Sequence, residues 1–111
     1  VAEHLTDPNK AVDYLIEHSR KYAQAKADRV HLEHFRKSKK ALLMNECTDK
    51  AVTAREQYAY SHPDYIALLE GLREAVRVEE TLRWRLTAAQ LRVEVWRSEN
   101  ANNRRQEGAT R

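Results

Sequence analysis

The sequence predicts an all-α protein: a long antiparallel helical hairpin with coiled-coil-like packing, completed by oligomerisation. Three observations predict it. Ten positions from Tyr65 to Trp96 follow three- and four-residue spacing: Tyr65, Leu68, Leu72, Ala75, Glu79, Leu82, Leu86, Ala89, Val93 and Trp96. Nine of them are apolar or aromatic, so they form a seam that needs a facing helix. The 111 residues include only two glycines and two prolines, too little turn material for a sheet built from hairpins. The strongest turn, Tyr60-Ser61-His62-Pro63-Asp64, stands directly before the seam. So short a connection favours an antiparallel neighbour.

In chain order, residues 1–6 read as a flexible arm and residues 7–100 as a single hairpin domain. Asp7 is placed to cap a helix, with Pro8 at the first helical position, where its missing N–H costs nothing. The apolar markers of this first helix are Val12, Leu15, Ile16, Ala23, Ala27 and Val30, a thin stripe rich in alanine. Leu32 and Phe35 follow, then the knot Leu42-Leu43-Met44. The preferred reading is one helix from about residue 8 to residue 59. The alternative is a break at Asn45–Asp49, because Asn45, Thr48 and Asp49 cap well and propagate poorly. Met44, Cys47, Ala51, Ala54 and Tyr58 form a face expected to pack on the start of the next helix.

At the turn, Ser61 is expected to cap the second long helix, with Asp64 in its third position. Tyr60 and Tyr65 are spaced as a hydrophobic staple. At 1.5 Å per residue the helix to Asn100 extends on the order of 50 Å. A second apolar line, Trp84, Ala88, Leu91 and Val95, lies on its other side. A hairpin buries one face, so this line is the expected homo-oligomer interface. Arg85, Arg92 and other arginines of this helix mix with glutamates, as in paired helix surfaces. Glu79 falls on the seam itself. Either it pairs with an arginine of the facing helix and fixes register, or the seam opens to water there. Residues 101–111 read as a flexible tail, with Gly108 ending any helix.

The formal net charge is only +3, but it is unevenly distributed. Residues 20–40 carry eight lysines and arginines against Asp28 and Glu33, a net +6. Lys26, Arg29, Arg36, Lys37 and Lys40 are the candidate nucleic-acid-binding residues, able to track a phosphate backbone with little base discrimination. Tyr22, His31, His34 and Phe35 are placed to stack on unpaired bases or contact them, which points to single-stranded DNA. An acidic protein partner and simple solvation are the competing readings of the same charge.

No catalytic motif is present: no phosphate-binding glycine loop, metal-hydrolase histidine pattern, nucleophile elbow or Cys-x-x-Cys pair. The expected protein is not an enzyme and has no cofactor. His31 and His34 are three apart but lack further metal ligands nearby. A single cysteine, Cys47, fits a reducing compartment and a small core residue. With no signal-like segment and no apolar run of membrane-spanning length, the expected location is cytoplasmic, the host cytoplasm if the protein is viral.

The stretch from His31 (His-Leu-Glu-His-Phe-Arg-Lys-Ser-Lys-Lys-Ala-Leu-Leu-Met44), together with Tyr60-Ser-His-Pro-Asp-Tyr65, resembles small helical accessory proteins of bacteriophage recombination and replication regions. The resemblance covers about residues 10–100. It implies a DNA-processing role and assigns no functional residue. The function expected is that of an oligomeric nucleic-acid-binding accessory protein. The alternative is a helical adaptor or inhibitor that engages a host or viral protein.

Overall fold

A computed structural model of the chain describes residues 7–110; the arm expected at 1–6 lies outside the described residues. The fold is all-α, an antiparallel helical hairpin with coiled-coil-like packing. Helix α1 spans Pro8–Glu46, α2 spans Val52–Ser61 and α3 spans Pro63–Thr110. The break after Glu46 is therefore real, and the first helix does not run on to residue 59. Its cause is local. Asp49 Oδ1 accepts a hydrogen bond from the Ala51 amide at 2.9 Å, giving the backbone an alternative to the helical ladder. Arg55 closes the broken end from the other side. Its Nε donates to the Met44 carbonyl at 3.0 Å and its Nη2 to Asn45 Oδ1 at 3.2 Å. The Met44 carbonyl, which also accepts from the Cys47 amide at 3.3 Å, thus gains a charged donor at the helix end.

The other ends follow the same logic. Asp7 Oδ1 accepts from the Asn9 amide at 2.9 Å and, more weakly, from that of Lys10 at 3.4 Å, as a cap ahead of Pro8 should. The start of α3 differs from expectation. Ser61 belongs to the end of α2, where its hydroxyl donates back to the Gln57 carbonyl at 2.7 Å. The cap is His62, whose Nδ1 accepts from the Asp64 amide at 3.0 Å. Pro63 then takes the first helical position and Asp64 the second, one earlier than the sequence suggested. The staple does form: the Tyr60 and Tyr65 rings meet edge to face at 5.4 Å. At the far end α3 continues to Thr110 through Gly108, the residue expected to end it, so residues 101–110, expected as a flexible tail, belong to the helix.

The structure divides into two units. One is Ala23–Glu80; the other joins the chain up to Tyr22 with the chain from Thr81. In the first unit the α3 seam is buried or half-buried at Tyr65, Leu68, Leu72, Ala75 and Glu79. Its small apolar core is Leu43, Ala59 and Tyr65, with Met44 packed against it. Each of the three helices supplies one core residue. Ala51 and Tyr58, expected on this face, are exposed, because α2 turns Ala59 inward instead. In the second unit the seam continues at Leu82, Leu86, Ala89 and Val93, while Trp96 emerges into solvent.

The inward face of α1 keeps only Leu15 and Val30 of the six predicted markers, both half-buried. Val12, Ile16, Ala23 and Ala27 are exposed. The helix buries or half-buries Ala11, Leu15, His18 and Tyr22 in one unit, and Ala25, Arg29, Leu32, Lys39 and Leu43 in the other. These positions keep three-four spacing except at Arg36, which is exposed where the repeat would turn inward. Polar residues with long apolar stems stand where aliphatics were sought. His18 lies flat on Tyr14, ring centroids 4.0 Å apart, and its Nδ1 is 3.1 Å from the Tyr14 carbonyl oxygen.

Leu43 is 1% exposed and its neighbour Leu42 is 55% exposed. Leu43→Ala is expected to destabilise the protein by about 3 kcal/mol through lost burial and a residual cavity, and Leu42→Ala by under ~0.5 kcal/mol. Urea unfolding followed by circular dichroism distinguishes them, with the denaturant slope unchanged in both.

Candidate nucleic-acid interface

The five basic residues singled out in the sequence all lie on α1, within the unit Ala23–Glu80, and they divide into separate roles. Arg29 is turned into the seam. Its Nε donates to one carboxylate oxygen of Glu79 at 2.6 Å and its Nη2 to the other at 2.9 Å. Its Nη1 donates to Glu33 at 3.1 Å. Hydrogen bonding to Glu79 is the main reason the guanidinium is held well above its ordinary pKa. Arg29 therefore serves the helix pair and is withdrawn from the phosphate-binding set. Glu79, only 6% exposed, is the seam acid whose partner the sequence could not name. Of the two readings, pairing across the helices is the one realised.

Arg36, Lys37 and Lys40 do come together. With Tyr60 and Tyr65 they line an open concavity of about 560 Å³ beside the junction of the three helices. Arg36 and Lys37 are exposed and carry no ion pair among the described residues. Lys40 is half-buried. Its ammonium lies 4.6 Å from the centroid of the Tyr60 ring and 3.8 Å from a Glu56 oxygen. Contact with the Tyr60 side chain, followed by the Glu56 carboxylate, raises the Lys40 pKa, so the ammonium stays charged at neutral pH. The site thus has two mobile cations and one fixed by an aromatic wall. Lys39 is engaged elsewhere, 3.8 Å from Asp64. Lys26 is exposed further along α1 and does not line the concavity.

On another side of α1 the His31 and Phe35 rings stack at 5.9 Å, and both residues are exposed, but neither lines the concavity. They form the ring surface available to an unpaired base. Tyr22 is half-buried in the other unit and does not join it. Tyr60 was not anticipated as part of the site. The signal was its place three residues before Pro63, where the turn carries it towards Lys40. Among the described residues no group of three potential metal ligands occurs, and no helix is long and apolar enough to cross a membrane.

The pair at the seam makes an asymmetric prediction. Arg29→Met leaves Glu79 buried without its bidentate donor and is expected to lower the melting temperature by roughly 5–10 °C. Adding Glu79→Leu to the same chain is expected to restore most of that loss, because two apolar side chains replace two desolvated charges. Thermal melts of the single and double variants decide it.

Comparison with known proteins found no matching family, no matching curated protein and no matching solved structure.

Proposed function

We propose that this chain is a non-enzymatic helical accessory protein that binds the phosphate backbone of nucleic acid, single-stranded DNA in the narrower form, and acts as a homo-oligomer. The observation that carries the reading is the gathering of Arg36, Lys37 and Lys40 around one concavity with Tyr60. Cations so placed contact successive phosphates without reading bases. The exposed His31–Phe35 stack elsewhere on α1 supports the narrower reading of single strands, whose bases are free to lie on a ring. Several subunits on one strand would add weak contacts into useful affinity. The resemblance of the His31–Met44 and Tyr60–Tyr65 stretches to bacteriophage accessory proteins suggests recombination or replication as the setting.

A second reading, an adaptor or inhibitor that docks on another protein, is favoured by a different observation. Ile66, Leu69 and Val76 are exposed at helical spacing on α3, within the unit Ala23–Glu80. Such a line is a reasonable groove-filling face.

Fluorescence anisotropy with single- and double-stranded probes across a salt series tests the first reading. Tighter binding to single strands is expected, with log affinity falling on log salt with a slope of about −2 per subunit for three phosphate contacts. Arg36→Glu with Lys37→Glu is expected to abolish binding at moderate salt. Salt-insensitive binding, or none, defeats the proposal. Stable co-purification with one protein partner, unaffected by that charge reversal, supports the second reading.

A further inference from the structure

We propose that the stripe Trp84–Ala88–Leu91–Val95 of α3 pairs with the same stripe of a second copy, antiparallel, about a two-fold axis passing between Ala88 and Leu91. The inference rests on the oligomeric reading above and adds the contact order and direction. Among the described residues of the unit that contains this stripe, the fully enclosed side chains are Ala11 and Ala89, each a single methyl group. Ordering a backbone costs about 1–2 kcal/mol per residue, and two methyl groups offset little of that. The large apolar groups of α3 face outward instead: Trp84 is 61% exposed, Leu91 56% and Val95 46%. Together they offer on the order of 300 Å² of apolar surface per copy. With flanking polar stems added on both sides, a paired stripe buries roughly 1,000 Å², the lower bound for a specific interface.

The order of side-chain sizes selects a second copy and sets its direction. Along the stripe the residues run large, small, large, smaller. In the antiparallel arrangement Trp84 meets the second copy's Val95, and Ala88 meets its Leu91. Every layer then joins a larger side chain to a smaller one, which keeps the helices at one separation along the contact. Parallel pairing in register would put two tryptophans in one layer and two alanines in the next, about 6 Å further along. An unrelated partner has no need of this reciprocal order; a copy of the chain does. Arg83, whose guanidinium carbon lies 5.4 Å from the Trp84 ring centroid, can flank the end layer. The arrangement brings Arg85 and Arg92 of both copies to one edge and Arg83 near the second copy's Glu94 on the other, so the charge terms oppose each other and the pairing, carried by apolar burial, persists as salt rises. Binding to a polyanion has the opposite salt dependence.

Thiol cross-linking of the full chain tests this. Thr81 and Ser98 continue the stripe at its two ends, so the antiparallel axis brings Thr81 of one copy beside Ser98 of the other. In a Cys47→Ser background, Thr81→Cys and Ser98→Cys proteins are mixed and treated with a short bifunctional thiol reagent. Peptide mass spectrometry then reads which positions are joined, and sedimentation equilibrium reads the mass. The expected result is a dimer at low and high salt, with links between positions 81 and 98 and few between two copies of 81. Links joining 81 to 81 and 98 to 98 overturn the antiparallel arrangement while leaving an oligomer. A chain that stays monomeric at its highest soluble concentration overturns both this inference and the oligomeric reading. The nucleic-acid reading is judged separately, by anisotropy.

Discussion

The bidentate pair between Arg29 and Glu79 is the constraint on which the hairpin depends. Helices that face each other through alanines and leucines can slide by a heptad with little change in apolar burial. Among the described residues the buried apolar ones are Ala11, Ala25, Leu43, Ala59, Tyr65 and Ala89, four of them alanine. Small side chains let helices approach but discriminate poorly between registers. A carboxylate that is 6% exposed discriminates strongly, because any slip strands it without its guanidinium. The second anchor is the Leu43–Ala59–Tyr65 cluster, where all three helices meet. Between them, these anchors account for the register of the unit Ala23–Glu80.

The same pair reduces the basic segment to a smaller site. A run of net +6 in sequence looks like a uniform cationic strip. In space Arg29 serves the seam, Lys39 reaches towards Asp64 and Lys40 is held by Tyr60 and Glu56. Of the rest, Arg20, Lys21 and Lys26 stay exposed elsewhere on α1, and Arg36 and Lys37 stand on the rim of one concavity. Local net charge therefore overstated the interface, since it cannot show which cations the fold consumes.

Much of the fold was legible because its signals are periodic. The α3 seam was readable from Tyr65 to Val93, and Asp7-Pro8 marked the first helix start. The inward face of α1 was legible only in part. It is built from His18, Tyr22, Arg29 and Lys39 alongside Ala11, Leu15, Ala25, Leu32 and Leu43, so hydrophobicity alone found Leu15 and Val30 but missed the polar positions and chose Val12, Ile16, Ala23 and Ala27, which are exposed. The break at Glu46 was visible only as an alternative, because its decisive partner, Arg55, lies ten residues from Asn45. The cap at α3 was misplaced for a similar reason. Ser61 has the better capping chemistry, yet Pro63 fixes the helix start and leaves His62 in the capping position. Of the candidate site, Arg36, Lys37 and Lys40 were readable as a helical cluster, whereas Tyr60 needed the turn to bring it there.

If the Arg29–Glu79 pair is needed alongside the Leu43–Ala59–Tyr65 cluster, its removal loosens the register of the hairpin. Spin labels at Lys37 and Arg73, two exposed positions in the unit Ala23–Glu80, report it directly through pulsed dipolar distance measurement. The account predicts one narrow distance distribution in the native pairing, and a broadened or split one when Arg29→Met and Glu79→Leu are combined, even though the helices remain folded. An equally narrow distribution at the same distance without the pair would show that packing alone sets the register, and would contradict the account.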